Sequence, residues 1–154
     1  MRISARAEYA VRAATELAAA SPESATRTTE AIAQAQEIPR KFLEGILLSL
    51  REAQLVTAQR GIGGGYRLLR PADQITVADV VRAVDGPLVF VRGERPSDLR
   101  YDGSAEPLLG VWVALRARVR EVLEGVTLAD LARGDLPGPI AAINEDPAVW
   151  ANPE

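Results

Sequence analysis

Hydrophobic residues recur along the first third of the chain with the period of a helix, interrupted by short polar turns. Ile3, Ala7, Ala10, Val11, Ala14, Leu17 and Ala18 would share one face of a helix capped by Ser4, running to about Ala20 and stopped by Ser21-Pro22. A polar, loop-like linker over 22–27 follows. Thr28 or Thr29 then opens a short helix with Glu30 in its first turn, near the positive end of the dipole. Gln36-Glu37-Ile38 reads as a turn. Pro39 suits the first position of the next helix, whose buried stripe would be Phe42, Leu43, Ile46, Leu47 and Leu50. Arg40, Lys41, Glu44, Gly45, Arg51 and Glu52 are left for its outer face. At Gln54 the chain must leave this helix and enter a strand. Glycine is usual at such a left-handed position, so Gln54 predicts mild strain, about 1 kcal/mol relative to glycine.

The period then changes. Two short apolar runs, Leu55–Gln59 and Tyr66–Leu69, flank a loop in which four of the five residues 61–65 are glycine. Apolar run, glycine loop, apolar run predicts a β-hairpin. Arg70-Pro71-Ala72-Asp73-Gln74 is a connector. Thr76-Val77-Ala78-Asp79 is a capping box opening a helix with Val77, Val80, Val81 and Val84 on one side, ended by Asp85-Gly86-Pro87. Leu88–Val91 suits a short extended segment. Residues 92–106 show no periodicity and read as a mobile loop. From Pro107 a long helix begins, with Leu108, Trp112, Leu115, Val119, Val122 and Val126 spaced as a heptad seam. Such a helix either packs on its own domain or pairs with its copy; its length and even spacing favour the dimer. Thr127-Leu128-Ala129-Asp130 is a second capping box, starting a short helix to about Arg133. The proline-rich tail reads as flexible or laid across the surface.

Composition narrows the chemistry. The 154 residues suffice for one domain plus an appendage, and 47% apolar with 25% charged residues is a globular balance. No apolar run approaches the roughly 18 residues of a membrane span, and the start of the chain lacks the pattern of a signal peptide, so a cytoplasmic protein without membrane contact is expected. Cysteine and histidine are both absent. Their absence removes disulfides, thiol switches, cysteine nucleophiles and histidine acid–base catalysis, together with nearly every transition-metal site. No enzyme constellation remains, and no cofactor is expected. The net charge of −3 hides an asymmetry: residues 1–82 carry eleven basic and nine acidic groups, the remainder seven and twelve. A mildly basic face on an acidic body suits a site-specific DNA binder, although ordinary surface scatter would look similar.

The glycine loop does not match a phosphate cradle. It lacks Gly-Lys-Ser/Thr, the third glycine of a dinucleotide fingerprint would fall on Tyr66, and a strand rather than a helix follows. A plain hairpin needs fewer glycines, so three in succession suggest close backbone approach to something, with DNA the favoured candidate. The preceding helix pair places Pro39, Arg40, Lys41 and Glu44 where a helix–turn–helix meets base edges. Arg40 and Lys41 can donate to guanine or phosphate, and Glu44 can accept from cytosine N4. A merely solvated helix face is the alternative. The order helix, turn, helix, hairpin favours a mainly α (α+β) fold: a winged helix-turn-helix domain with a long C-terminal dimerisation helix.

These residues also carry a family resemblance. The opening Met1-Arg2-Ile3-Ser4-Ala5-Arg6-Ala7-Glu8-Tyr9-Ala10-Val11-Arg12-Ala13 resembles that of the Rrf-two family, the IscR/NsrR/CymR group of bacterial repressors. So do Ile38 with Phe42-Leu43-Glu44, Leu50-Arg51, Arg60-Gly61-Ile62-Gly63-Gly64-Gly65-Tyr66, the stretch from Ile75 to Gly86, and Thr127–Leu131. The resemblance covers roughly residues 1–133. It implies a homodimeric winged-helix regulator, usually a repressor, on a palindromic operator of double-stranded DNA. It carries base reading onto Arg40, Lys41 and Glu44, and minor-groove or phosphate contact onto Arg60 and the wing glycines. Many members hold an iron–sulfur cluster through three cysteines in the loop before the long helix. Here that loop has none, and Glu8, where some members supply a carboxylate ligand, has no thiolate or imidazole to join it. Gly45 replaces a longer polar residue, at about 1 kcal/mol of helix propensity.

The expected organisation is a DNA-binding domain over 1–86, a loop over 87–106 (the sensor region in relatives), a dimerisation helix with a short following helix over 107–133, and a flexible tail over 134–154. Expected DNA contacts are Thr28, Pro39, Arg40, Lys41, Glu44, Arg51, Arg60, Gly61, Gly63, Gly64, Gly65 and Tyr66. Expected dimer contacts are Leu108, Trp112, Leu115, Val119 and Val122. Phe90, Arg92, Arg95, Arg100, Tyr101 and Trp112 could form a pocket for a small anionic metabolite or a docking site for a regulatory protein. Against this, Trp112 could be dimer core and the arginines simply solvated. The competing functional class is a partner-binding adaptor of the same fold that uses the wing as a docking hairpin.

Overall fold

The computed structural model describes residues 1–20 and 25–152. Helix α1 (Ala5–Ala18) lies at the centre of the body. It packs against α2 (Thr29–Gln36), α3 (Arg40–Glu52), α4 (Val77–Asp85) and α6 (Leu128–Arg133). Ala7, Ala10, Ala13, Ala14 and Leu17 form its buried face. Small side chains at a helical repeat let several neighbours close on one helix without leaving voids. Ser4 caps it as expected, with the Ala7 N–H donating to Ser4 Oγ at 2.9 Å. The Ser21-Pro22 stop lies outside the described residues.

Thr28 caps α2, with the Ala31 N–H donating to its hydroxyl at 3.1 Å. Glu37 ends α2 in the left-handed region at φ 52°. Pro39 stands one position outside α3, as its cap, because its extended ψ of 124° precedes the first helical residue. Leu43, Ile46, Leu47 and Leu50 are fully buried, whereas Phe42 is 57% exposed. The expected stripe was one residue too wide: Phe42 sits at its edge and leans on Tyr9 of α1, ring centroids 6.2 Å apart.

Gln54 is left-handed, at φ 59°. The Leu55 N–H reaches back to the Leu50 carbonyl at 2.9 Å, closing the helix end. Strands β1 (Val56–Gln59) and β2 (Gly65–Leu68) then pair antiparallel, Val56 opposite Leu68 and Gln59 opposite Gly65. The linker is not merely a loop. Arg27 bridges Tyr66 through two backbone hydrogen bonds of 2.8 Å and adds a third rung beside β2.

Both capping boxes are formed. The Asp79 N–H donates to Thr76 and the Asp130 N–H to Thr127, while each aspartate accepts from its own cap backbone. The two box threonines bridge one another, and the Leu128 N–H donates to Ile75 O at 2.9 Å. Leu128 is thereby buried in the same core as α1 and α4, so α6 returns to the winged-helix body. Val126 is buried outside the long helix α5 (Leu108–Glu124) and takes no part in a seam along it.

The segment over 92–106 is shaped rather than featureless. Val91 bridges Glu94, 3-10 turns form over Pro96–Asp98 and Gly103–Ala105, and Pro96 and Leu99 are buried. Single apolar anchors without a period hold it, which is why the sequence pattern missed them. The segment beyond Gly134, read as a tail, likewise holds a helix, α7 (Gly138–Asn144), and a 3-10 turn over Pro147–Trp150.

Candidate nucleic-acid interface

Three chain segments meet at the start of α2. Thr26 and Arg27 run beside the wing, Thr28 caps α2, and Glu30 in the first turn of α2 faces the start of α3. Arg40 bridges this junction. Its guanidinium meets Glu30 at 2.7 Å and Glu44, one turn further along α3, at 3.0 Å. All three side chains are more than half exposed. Arg40 is thus already occupied by two carboxylates and fixes the rotamer of Glu44. Lys41 has no carboxylate within ion-pair distance among the described residues and is the free cation of the first turn of α3.

The wing glycines have a partner within the chain. A Cβ on Gly65 would lie 2.5 Å from the Arg27 carbonyl oxygen, and Gly65 has φ 138°. A Cβ on Gly64 would lie 2.4 Å from Gln59 O. The Thr26 hydroxyl donates to Gly63 O at 2.7 Å, closing the same contact. The close approach inferred from the glycine run is therefore to the Arg27 strand and to the turn itself, so DNA is not needed to explain it. The turn leaves Ile62 fully exposed at its tip, with Arg60 exposed beside it. Ile62, Thr26 and Glu30 are not among the expected contacts, Glu30 being read from the sequence only as a first-turn acid of α2. A lone apolar residue among glycines was the available signal for the first; the other two become visible only once the segments are placed together.

The remaining expected contacts distribute unevenly. Gly61 and Gly63 lie on the exposed wing turn and Pro39 at the exposed start of α3. Tyr66 is half-buried and its ring packs on the core, so it anchors the wing. Arg51 is exposed in the last turn of α3, roughly 16 Å along the axis from Arg40 at 1.5 Å per residue. Gly45 is exposed, with open space where a side chain would project.

The six residues expected to form an effector pocket do not line one cavity. Phe90 and Trp112 line a cavity of about 520 Å³ between α1, α4 and α5. Tyr101 accepts a hydrogen bond from Trp112 Nε1 at 3.0 Å. Arg95 lines a different cavity. Arg100 is folded onto the carbonyls of Ser97 and Leu99, and Arg92 is exposed on the turn. Of the expected dimer contacts, Trp112, Leu115 and Val119 are half-buried on the body's side, while Leu108 and Val122 stay exposed.

The sequence profile of the Rrf2 family, described as "Iron-dependent Transcriptional regulator", matches residues 3–134. The chain belongs to the Rrf2 family. It is 49% identical over 146 residues to Rv1287 of Mycobacterium tuberculosis (strain ATCC 25618 / H37Rv), which bears the name of an HTH-type transcriptional regulator; the match covers 95% of this chain and 90% of that one. Among solved structures, CymR, "the Global Cysteine Regulator of B. subtilis", is similar with a TM-score of 0.74 and 33% identity, over 87% of this chain and 98% of that one. T. potens IscR follows with a TM-score of 0.71 and 28% identity, over 98% and 97%. This Rrf2 protein is accordingly a DNA-binding winged-helix transcriptional regulator and not an enzyme. No helix among its described residues is long and apolar enough to cross a membrane.

The iron named in the family description finds no matching donor set. The chain offers neither thiolate nor imidazole. Glu8, the one carboxylate that the resemblance suggested, is paired with Arg12 at 3.3 Å across one helical turn. Hard carboxylate oxygens on exposed arginine-paired side chains do not make a site for iron–sulfur chemistry.

Proposed function

We propose that this Rrf2 protein binds a palindromic operator as a homodimer, acts as a repressor, and does so without an iron–sulfur cluster. One observation carries the reading. The start of α3, the start of α2 and the wing form a continuous exposed face, joined by Arg40–Glu30 and by the Arg27–Tyr66 rung. On that face Glu44, held ready by Arg40, meets base edges in the major groove and accepts from cytosine N4, while Lys41 beside it donates to phosphate. The wing turn, with Arg60 and Ile62 outermost, lies on the neighbouring backbone and minor groove, where an apolar side chain such as Ile62 can wedge between base steps. Thr28 and Arg51 flank this footprint on phosphates. The cluster-free reading rests on the missing donors.

Fragments recovered from genomic DNA by in-vitro selection on the purified protein supply the operator. Filter binding to that fragment and to a scrambled copy, across a salt series, tests the proposal. Preference for the selected sequence, with affinity falling steeply as salt rises, is expected. Equal and salt-insensitive binding to both would instead make the wing a protein-docking hairpin.

A further inference from the structure

Four arginines converge on a cleft that the DNA-binding face does not use. Arg82 comes from α4, Arg95 from the loop beyond it, and Arg116 and Arg120 from successive turns of α5. The cleft encloses about 340 Å³, and Leu88 and Val89 supply an apolar wall. Like charges one helical turn apart destabilise a helix unless something answers them. One carboxylate does so in part: Glu124 binds both Arg82 and Arg120, the latter at 3.0 Å. Arg95 and Arg116 have no carboxylate within ion-pair distance among the described residues. The carbonyl end of α4 at Gly86 offsets no more than about half a unit charge. The cleft thus keeps a positive surplus in a concave, partly apolar setting.

We propose that this cleft is a binding site for a compact metabolite bearing two or three oxyanion groups, held by Arg95 and Arg116 against Leu88 and Val89. Planar guanidiniums match carboxylate and phosphate oxygens in bidentate fashion, which selects oxyanions over other anions. The volume sits at the lower end of small-molecule pockets, so the ligand is a small polycarboxylate or phosphate ester and not a nucleotide cofactor. Because α4 belongs to the winged-helix body and Arg116 and Arg120 to α5, an occupant ties the two elements together. The site stands independently of the operator reading, since it can be probed without DNA.

Titration calorimetry on the intact protein at about 150 mM salt, where nonspecific surface attraction is screened, uses citrate and inorganic pyrophosphate as probes. Saturable binding of one of them, one per chain, is expected, and which probe binds tells carboxylate from phosphate recognition. In Arg95→Gln/Arg116→Gln the affinity should fall at least tenfold. Arg118→Gln, on α5 but outside the cleft, should bind as the wild type does. The double variant leaves the Arg82–Glu124–Arg120 cluster in place; should it nevertheless fail to fold, Arg116→Gln alone replaces it, again with at least a tenfold loss expected. No saturable heat from either probe, unchanged binding in the folded cleft variant, or an equal loss in Arg118→Gln would overturn the proposal.

Discussion

At the residue scale, two positions test the backbone in opposite directions. Gln54 is exposed and left-handed at φ 59°, and its side chain makes no hydrogen bond among the described residues. Gln54→Gly removes a Cβ penalty and should stabilise the protein by about 1 kcal/mol, an increase of roughly 2–4 °C in a melting scan. An unchanged or lower melting temperature would contradict the strain. Gly65→Ala forces a Cβ against the Arg27 carbonyl at 2.5 Å and should cost about 2 kcal/mol or more, with looser DNA binding because the wing loses its third rung. The first position was legible in the sequence because helix-to-strand turns impose a left-handed residue locally. The second was legible only as a demand for close approach. Its partner is an unpatterned segment far away in sequence, and period analysis cannot see a single bridging residue. The paired state of Arg40 was equally hidden, and it changes what alanine substitution should do. Lys41→Ala should weaken specific and scrambled DNA alike. Arg40→Ala should mainly erode the difference between them, by up to about 1 kcal/mol, because it frees Glu44 from the ion pair that orients it. Competition binding with both DNAs distinguishes the two, and identical profiles for the two variants would refute the positioning role.

At the scale of elements, local chemistry was readable and tertiary docking was not. The capping boxes at Thr76 and Thr127 are short-range devices, and both form where the sequence placed them. That their threonines bridge one another, drawing α6 into the core of α1 and α4, depends on backbone pairing that no side-chain pattern encodes. The α4–α5 contact rests on a more specific group. Hydrogen bonds from Arg120 and then Arg82 hold the Glu124 carboxyl down to about 2, from an ordinary 4.5. A depressed carboxylate contributes stability that is fully present above its unfolded value and is lost as pH falls towards the folded one. Glu124→Gln should therefore melt below the wild type at neutral pH. The gap should stay level down to about pH 4.5 and narrow between there and pH 2, since protonation then removes the same pairs from the wild type. Circular-dichroism melts across that range measure it; a gap independent of pH would assign the loss to packing.

At the scale of the whole molecule, the unsolved surface is that of α5. Its 17 residues include no buried one, although its sequence is largely apolar. The inward side of its apolar arc, with Trp112 and Val119, is half-covered by the body. The outer edge of the same arc leaves Leu108, Val111 and Val122 between 36% and 55% exposed. The apolar surface runs on past Val122 into a groove of about 500 Å³ lined also by Pro137, Ile140 and Ile143 of the α7 region. A monomer seldom leaves so much contiguous apolar surface in water, and a two-fold axis lets the same patch cover itself. The heptad positions share one arc of α5, and helical spacing alone cannot tell how much of that arc faces its own domain and how much a partner. Placing charge on the outer edge separates assembly from DNA reading. Val111→Glu/Val122→Glu should sediment as a folded monomer. Its affinity for an isolated half-site should match that of the wild type, because α3 and the wing are untouched. Its affinity for the full operator should fall on the order of 10²–10⁴-fold, the gain that linking two binding modules provides. A variant that stays dimeric, or a monomer that keeps full operator affinity, would remove α5 from the interface and leave its apolar row to another partner.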